Sequence, residues 1–167
     1  MDYSTARPQI RSGDLLAFSG GSWRSWNDIK VNLVRVFTRS TYSHVGLAWV
    51  VAGRVFVLEA VSPKVRIYPL SKRGDFFLIG LDASWRADTE EFALSRVGYD
   101  YSEVDAVRGF LNRLEPGKVS QCAAYVLEVL RGDGTHLGMR ATPDAVVQEA
   151  LALHGSKLVL IQRAARG

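Results

Sequence analysis

Two β-rich runs, Ser43 to Val51 and Arg54 to Ala60, stand on either side of the dipeptide Ala52-Gly53. Apolar and β-branched runs separated by two turn residues predict an antiparallel hairpin. A loop of that length also fixes the register, because Val51 and Arg54 must then face each other and every paired set of residue numbers sums to 105. Gly46 falls opposite Glu59 in that register. His44, two residues from Gly46, points to the same face and is the diagonal neighbour of Glu59, within reach of two extended side chains, with the glycine leaving the space between them open. The juxtaposition rests on parity, since a slip or bulge of one residue would carry Glu59 to the opposite face.

Further elements follow from punctuation and period. Gly13 to Phe18 reads as a first strand and Ser19-Gly20-Gly21-Ser22 as a loop. Ser25 to Asp28 resembles a capping box opening a helix whose apolar positions Trp26, Ile29, Leu33, Val36 and Phe37 recur at helical spacing. Arg24, Arg35 and Arg39 fall on its other side, as a solvated basic face or, in a sharper reading, a rim that meets an anionic substrate. Lys64 to Tyr68 and Phe76 to Gly80 read as strands, and Asp88 to Glu91 as the cap of a helix running to Gly98. A helix from about Ser102 to Leu114 is broken by Glu115-Pro116-Gly117-Lys118. The apolar run from Ser120 to Leu130, closed by Gly132, is a helix with Cys122 at its start. Thr142-Pro143-Asp144 caps a helix through about Leu153, and Lys157 to Ile161 is a last strand. Strands in the first half and helices in the second give the α+β class, an antiparallel sheet packed against helices.

A chain of 167 residues is the length of one domain with a real core, so residues 1–167 are read as a single domain with 1–9 as a flexible N-terminal segment. The excess of 21 Lys and Arg over 17 Asp and Glu is modest and spread out. It permits an acidic polymer without selecting one, and with no recognition motif no nucleic-acid partner is expected. One cysteine excludes an intramolecular disulfide. Residues from Met1 to Pro8 lack the apolar stretch of a secretory signal, and the longest apolar run, Val45 to Ala52, is too short to span a bilayer. Cytoplasmic synthesis without classical export is the expectation, with delivery to the cell wall by lysis or virion machinery as the other route. Three dispersed histidines form no paired ligand motif, and Ser19 to Ser22 lacks the lysine and spacing of a phosphate loop. No cofactor and no metal are called for.

A thiol at a helix N-terminus meets the positive end of the dipole, which favours the thiolate. A lone cysteine is more often a small buried hydrophobe than a nucleophile, so chemistry requires a base and an orienting group as well. His44 and Glu59, placed on one face by the hairpin, fill those roles with Cys122 as nucleophile. Such a site attacks a carbonyl to form an acyl-enzyme, the imidazolium protonates the leaving amine, and the backbone N–H of Cys122 is a natural oxyanion donor. Taken singly, each residue has a structural alternative: His44 as a satisfied histidine, Glu59 as an edge-strand carboxylate in water.

Gly13-Asp14-Leu15-Leu16, Ser43-His44-Val45-Gly46-Leu47, Val57 to Ala60, Gly98-Tyr99-Asp100, Gln121-Cys122 and Thr142-Pro143-Asp144, in that order, resemble the permuted branch of the NlpC-type papain-like thiol hydrolases, near the YiiX-like proteins. The resemblance runs from about residue 10 to 150. It implies a circularly permuted papain-like fold in which Cys122 matches the nucleophile, His44 the base and Glu59 the orienting residue. Tyr99 matches an aromatic that lines the site as a substrate or oxyanion contact; its alternative is a core tyrosine. The chain departs from the pattern at Ala123-Ala124-Tyr125, where many relatives carry Ser and an acidic residue, and lacks the usual Pro before Tyr99. The resemblance implies a cysteine amidase or peptidase acting on peptidoglycan-type cell-wall peptides. Two rivals remain: an acyltransferase or lipid-directed thioesterase with the same triad, and an inactive binding or structural module.

Overall fold

The computed structural model describes residues 1–19, 42–61, 64–81, 85–100, 119–154 and 158–162. The sequence-predicted helix that opens at Ser25, its arginines, the helix from Ser102 and the break at Glu115 to Lys118 lie outside the described residues. Among those described, six strands form one antiparallel sheet: β1 (Leu15–Phe18), β2 (His44–Val51), β3 (Arg54–Val61), β4 (Lys64–Pro69), β5 (Phe76–Ile79) and β6 (Leu158–Ile161), in the order β4-β3-β2-β1-β5-β6. Four helices accompany it: α1 (Tyr3–Ala6), α2 (Ala87–Ser95), α3 (Gln121–Gly132) and α4 (Pro143–His154). The architecture is α+β, as the strand-first, helix-later order of the chain indicates. None of these helices is long and apolar enough to cross a membrane.

The β2–β3 ladder pairs Leu47 with Leu58 and continues to Val51 with Arg54, the register set by a two-residue turn. Alternation then divides the sheet. Leu15, Ala17, Val45, Leu47, Leu58 and Ala60 pack with α3 and α4, while Leu16, Phe18, Ala48, Val55 and Val57 pack on the other face with Ala6, Ile10 and Leu70. Helix α3 is buried from Cys122 through Leu130, since it lies between the sheet and its neighbouring helices. The Tyr125 hydroxyl, taken fully into this core, donates to the Ala93 carbonyl of α2 at 3.0 Å, so burying the phenol leaves no polar group unpaired.

One local expectation differs. Helix α2 begins at Ala87 rather than at an Asp88 cap; Asp88 sits inside the first turn, where the positive helix end favours an anion. It ends at Ser95, before Gly98, because Val97 and Asp100 leave it to bridge the edge strand β4. The N-terminal segment makes specific contacts. Asp2 caps α1, the Tyr3 amide donates to the Gln162 carbonyl at 3.1 Å, and Ala6 and Ile10 are buried. Both sheet edges thus carry backbone bridges, which occupy groups that would otherwise template pairing with another chain.

The hairpin turn holds Ala52 at φ +48° and Gly53 at φ +70°. Positive φ at both central positions is the type I′ geometry, free for glycine and costly for alanine. Replacing Ala52 by Asn is expected to stabilise the protein by about 1 kcal/mol. A higher urea midpoint at unchanged slope would bear this out; an unchanged or lower midpoint would not.

Candidate functional site

The hairpin register brings His44 and Glu59 together: His44 Nε2 lies 2.6 Å from Glu59 Oε2. Gly46 permits the approach. A Cβ there would sit 2.6 Å from Val57 Cγ2, 2.8 Å from the Leu58 carbonyl oxygen and 3.3 Å from Glu59 Cβ. Alternation places both side chains on the sheet face away from α3, beside Phe18, whose ring centre is 5.8 Å from that of His44. Cys122 belongs to the opposite layer. The two meet at the end of the sheet, because His44 is the first residue of β2 and Cys122 lies in the first turn of α3. The thiol lies near enough to His44 for each group to shift the other's proton affinity. With Nε2 committed to the carboxylate, Nδ1 is the ring nitrogen left for sulfur.

Glu59 is completely buried and therefore needs counter-charge. Its Oε1 accepts from Arg66 Nε at 2.9 Å, and Oε2 also accepts from Arg73 Nη2. Arg73 is stacked on the rings of Phe18 and Tyr68, and Arg66 on Tyr68, which holds both guanidinium groups on this face. Burial pushes the Glu59 carboxyl up, but the hydrogen bond and charge of His44, followed by Arg73, outweigh it and hold the pKa at about 2. Burial likewise pushes His44 down, yet its bonds to Cys122 and Glu59, and then their charges, raise it to about 9. For Cys122, burial raises the thiol; His44, the Ser120 hydroxyl and the Val45 N–H together bring it below its ordinary value. The three shifts agree in favouring a thiolate, an imidazolium and a carboxylate in series.

Ser120 is the N-cap residue of α3, yet its side chain makes no capping bond. Its Oγ lies 2.8 Å from Cys122 Sγ instead. The segment entering α4 secures both approaches to the site. The Ala141 carbonyl accepts from the Ser120 amide at 2.8 Å, and Asp144 Oδ1 accepts from the Tyr42 amide at 3.1 Å, two residues before His44. Thr142 Oγ1 meanwhile accepts from the Ala145 N–H at 3.3 Å, the capping bond expected of it.

His44 thus stands between Glu59, to which it is bonded, and Cys122, whose protonation it perturbs. Tyr99 is not among their partners: its side chain is 62% exposed, and its carbonyl accepts from the Val65 amide at the β4 edge. Arg66, Arg73, Ser120 and Asp144 were not singled out from sequence as parts of this site. Arg66 had a signal, since Val61 faces Lys64 across another tight connection and that register sets Arg66 opposite Glu59. Arg73 had none, because it follows a 3-10 turn, Leu70–Lys72, outside any strand period.

The described residues define an α+β protein with a cysteine, a histidine and a carboxylate together at one end of an antiparallel sheet. Its fold is similar to that of the metalloprotein yiiX from Escherichia coli O157:H7 (DUF1105), with 18% identity, a TM-score of 0.51, and coverage of 92% of this chain and 89% of that one. No protein-family model and no curated protein matches the sequence. Among the described residues no three His, Cys, Asp or Glu side chains form a set able to hold a metal ion. Glu59 is poorly suited to metal ligation, with both oxygens accepting from cationic donors.

The pKa shifts define a pH dependence. His44, raised from 6.5 to about 9, contributes stability that is complete below pH 6.5 and lost as pH rises through about 9. Glu59, lowered from 4.5 to about 2, contributes stability present above pH 4.5 and lost as pH falls toward 2. Glu59→Gln is expected to remove the acid flank and shrink the alkaline one, to lower stability at neutral pH by about 1–3 kcal/mol through the unpaired guanidinium groups, and to lower the His44 pKa, the influence of Cys122 remaining. Urea unfolding across pH and an NMR titration of His44 measure these effects. A His44 that titrates unchanged in the variant would dissociate it from Glu59.

Proposed function

We infer that the protein is a cysteine-dependent amidase or peptidase of the permuted NlpC-type papain-like kind, with Cys122 as nucleophile, His44 as general base and acid, and Glu59 as the residue that orients the imidazole. The observation that carries this reading is the position of His44, bonded to a buried carboxylate and coupled in its protonation to a helix-start thiol. A lone buried cysteine would have no such partner. The lowered thiol and raised imidazole favour a resting ion pair, the form in which sulfur attacks without first losing a proton.

In this mechanism the thiolate adds to an amide carbonyl. The oxyanion forms beside the Cys122 N–H at the start of α3, where the helix dipole favours negative charge. Imidazolium passes its proton to the leaving nitrogen as the C–N bond breaks, leaving a thioester on Cys122. Neutral His44 then takes a proton from water, whose oxygen attacks the thioester; the C–S bond breaks, the acid leaves and the thiolate–imidazolium pair is restored. Glu59, kept ionised by Arg66 and Arg73, steadies the ring through both changes of charge. Tyr99 enters as a substrate contact, since its side chain is open to solvent and its backbone is bonded to Val65, which packs in the same core cluster as Cys122. The substrate class proposed is a peptidoglycan-type peptide.

Iodoacetamide alkylation of Cys122 across pH tests the ion pair. The rate is expected to stay high well below the ordinary thiol pKa of about 8.5, and His44→Ala is expected to abolish that acid limb. Intact-mass detection of an acyl-enzyme with peptidoglycan fragments or acyl amides tests the chemistry. A thiol that titrates normally regardless of His44, with no acyl adduct, would favour a binding module instead.

A further inference from the structure

A second feature lies on the same chain at the hairpin end of the sheet, roughly 15 Å along β3 from Glu59. A cavity of about 380 Å³ opens there between the N-terminal segment, the start of β3 and the 3-10 turn after β4. Arg7, Arg54 and Lys72 line it together with Ser71, Tyr3 and Phe56, and no carboxylate is among the lining residues. The Arg7 guanidinium is braced on the Gly53 carbonyl of the hairpin turn. The side chains of Arg54 and Lys72 have no hydrogen-bond or ion-pair partner among the described residues, although elsewhere Arg66, Arg73, Arg86, Arg96 and Arg140 are each paired with a carboxylate. Tyr3 is fixed edge-on against Phe76, with ring centres 6.2 Å apart.

We propose that this cavity is a binding site for a phosphate monoester, with Arg7, Arg54 and Lys72 gripping the dianion and Tyr3 and Phe56 providing apolar surface for the organic group. Three cations converging on one cavity without internal counter-ions leave an electrostatic demand that a dianion meets. Guanidinium groups also match phosphate geometry with paired N–H donors. A spread of surface charge would not do this, because the grouping is set by the fold: Arg7 comes from the N-terminal segment, Arg54 from the hairpin and Lys72 from the turn. The volume suits a small organic phosphate better than a bare ion. Nothing in this proposal depends on the chemistry of Cys122.

Calorimetric titration with phenyl phosphate and with inorganic phosphate at low ionic strength tests it. The expected result is saturable one-to-one binding of phenyl phosphate, tighter than that of inorganic phosphate. The pair Arg54→Gln and Lys72→Gln should weaken it by about tenfold or more, while Lys64→Gln with Arg131→Gln, which removes the same charge elsewhere, should not. Matching thermal unfolding of both double variants guards against misfolding. Vesicles of equal parts phosphatidylcholine and phosphatidic acid separate the sources of the phosphate. Sedimentation lost in the Arg54 and Lys72 variant assigns the site to a lipid headgroup, and phenyl phosphate binding without sedimentation assigns it to a soluble ester. Absence of saturable binding, or equal weakening in the control pair, overturns the proposal.

Discussion

A carboxylate removed from water is unstable as an anion unless cationic donors surround it, and Glu59 sits at 0% exposure near the end of β3. Much around it reads as a response to that constraint. His44 comes from β2, Arg66 from β4 and Arg73 from the turn beyond, so one side chain joins two neighbouring strands and a connection through charge. Phe18 and Tyr68 then supply the flat surfaces on which Arg73 rests. Substituting the carboxylate would leave cationic partners together with no anion between them.

The site is also braced from outside the sheet. Ala141 and Asp144 fix the backbone just ahead of Cys122 and just ahead of His44, respectively. The thiol and the imidazole belong to opposite faces of the sheet, so nothing in either layer alone sets their separation. A common anchor at the start of α4 supplies the missing constraint. It also gives the Thr142-Pro143-Asp144 motif a physical content that its capping role alone does not explain.

The hairpin was legible because Ala52-Gly53 admits one parity, and parity alone is enough to bring His44 to Glu59. The apolar run after Ser120 was legible for a similar reason, since nothing but a buried helix accommodates it. Arg73 was not, because its position depends on a tertiary approach with no sequence period. The part of Ser120 was not legible either: serine ahead of a helix commonly caps it, but here a neighbouring sulfur competes for the hydroxyl. Tyr99 carried a signal only through resemblance, and its exposed side chain makes none of the contacts that hold the other three together.

The 3-10 turn Leu70–Lys72 is constrained by its length. Leu70 is anchored in the core, Lys72 faces the basic cavity and the next residue, Arg73, reaches Glu59. Three consecutive steps of backbone thus divide one short connection among the interior and two separate polar environments. Most surface connections absorb an added or deleted residue at small entropic cost. This one has no slack: a single insertion after Leu70 would swing both basic side chains out of phase at once. Its length, more than its composition, is what descent with variation would have to preserve.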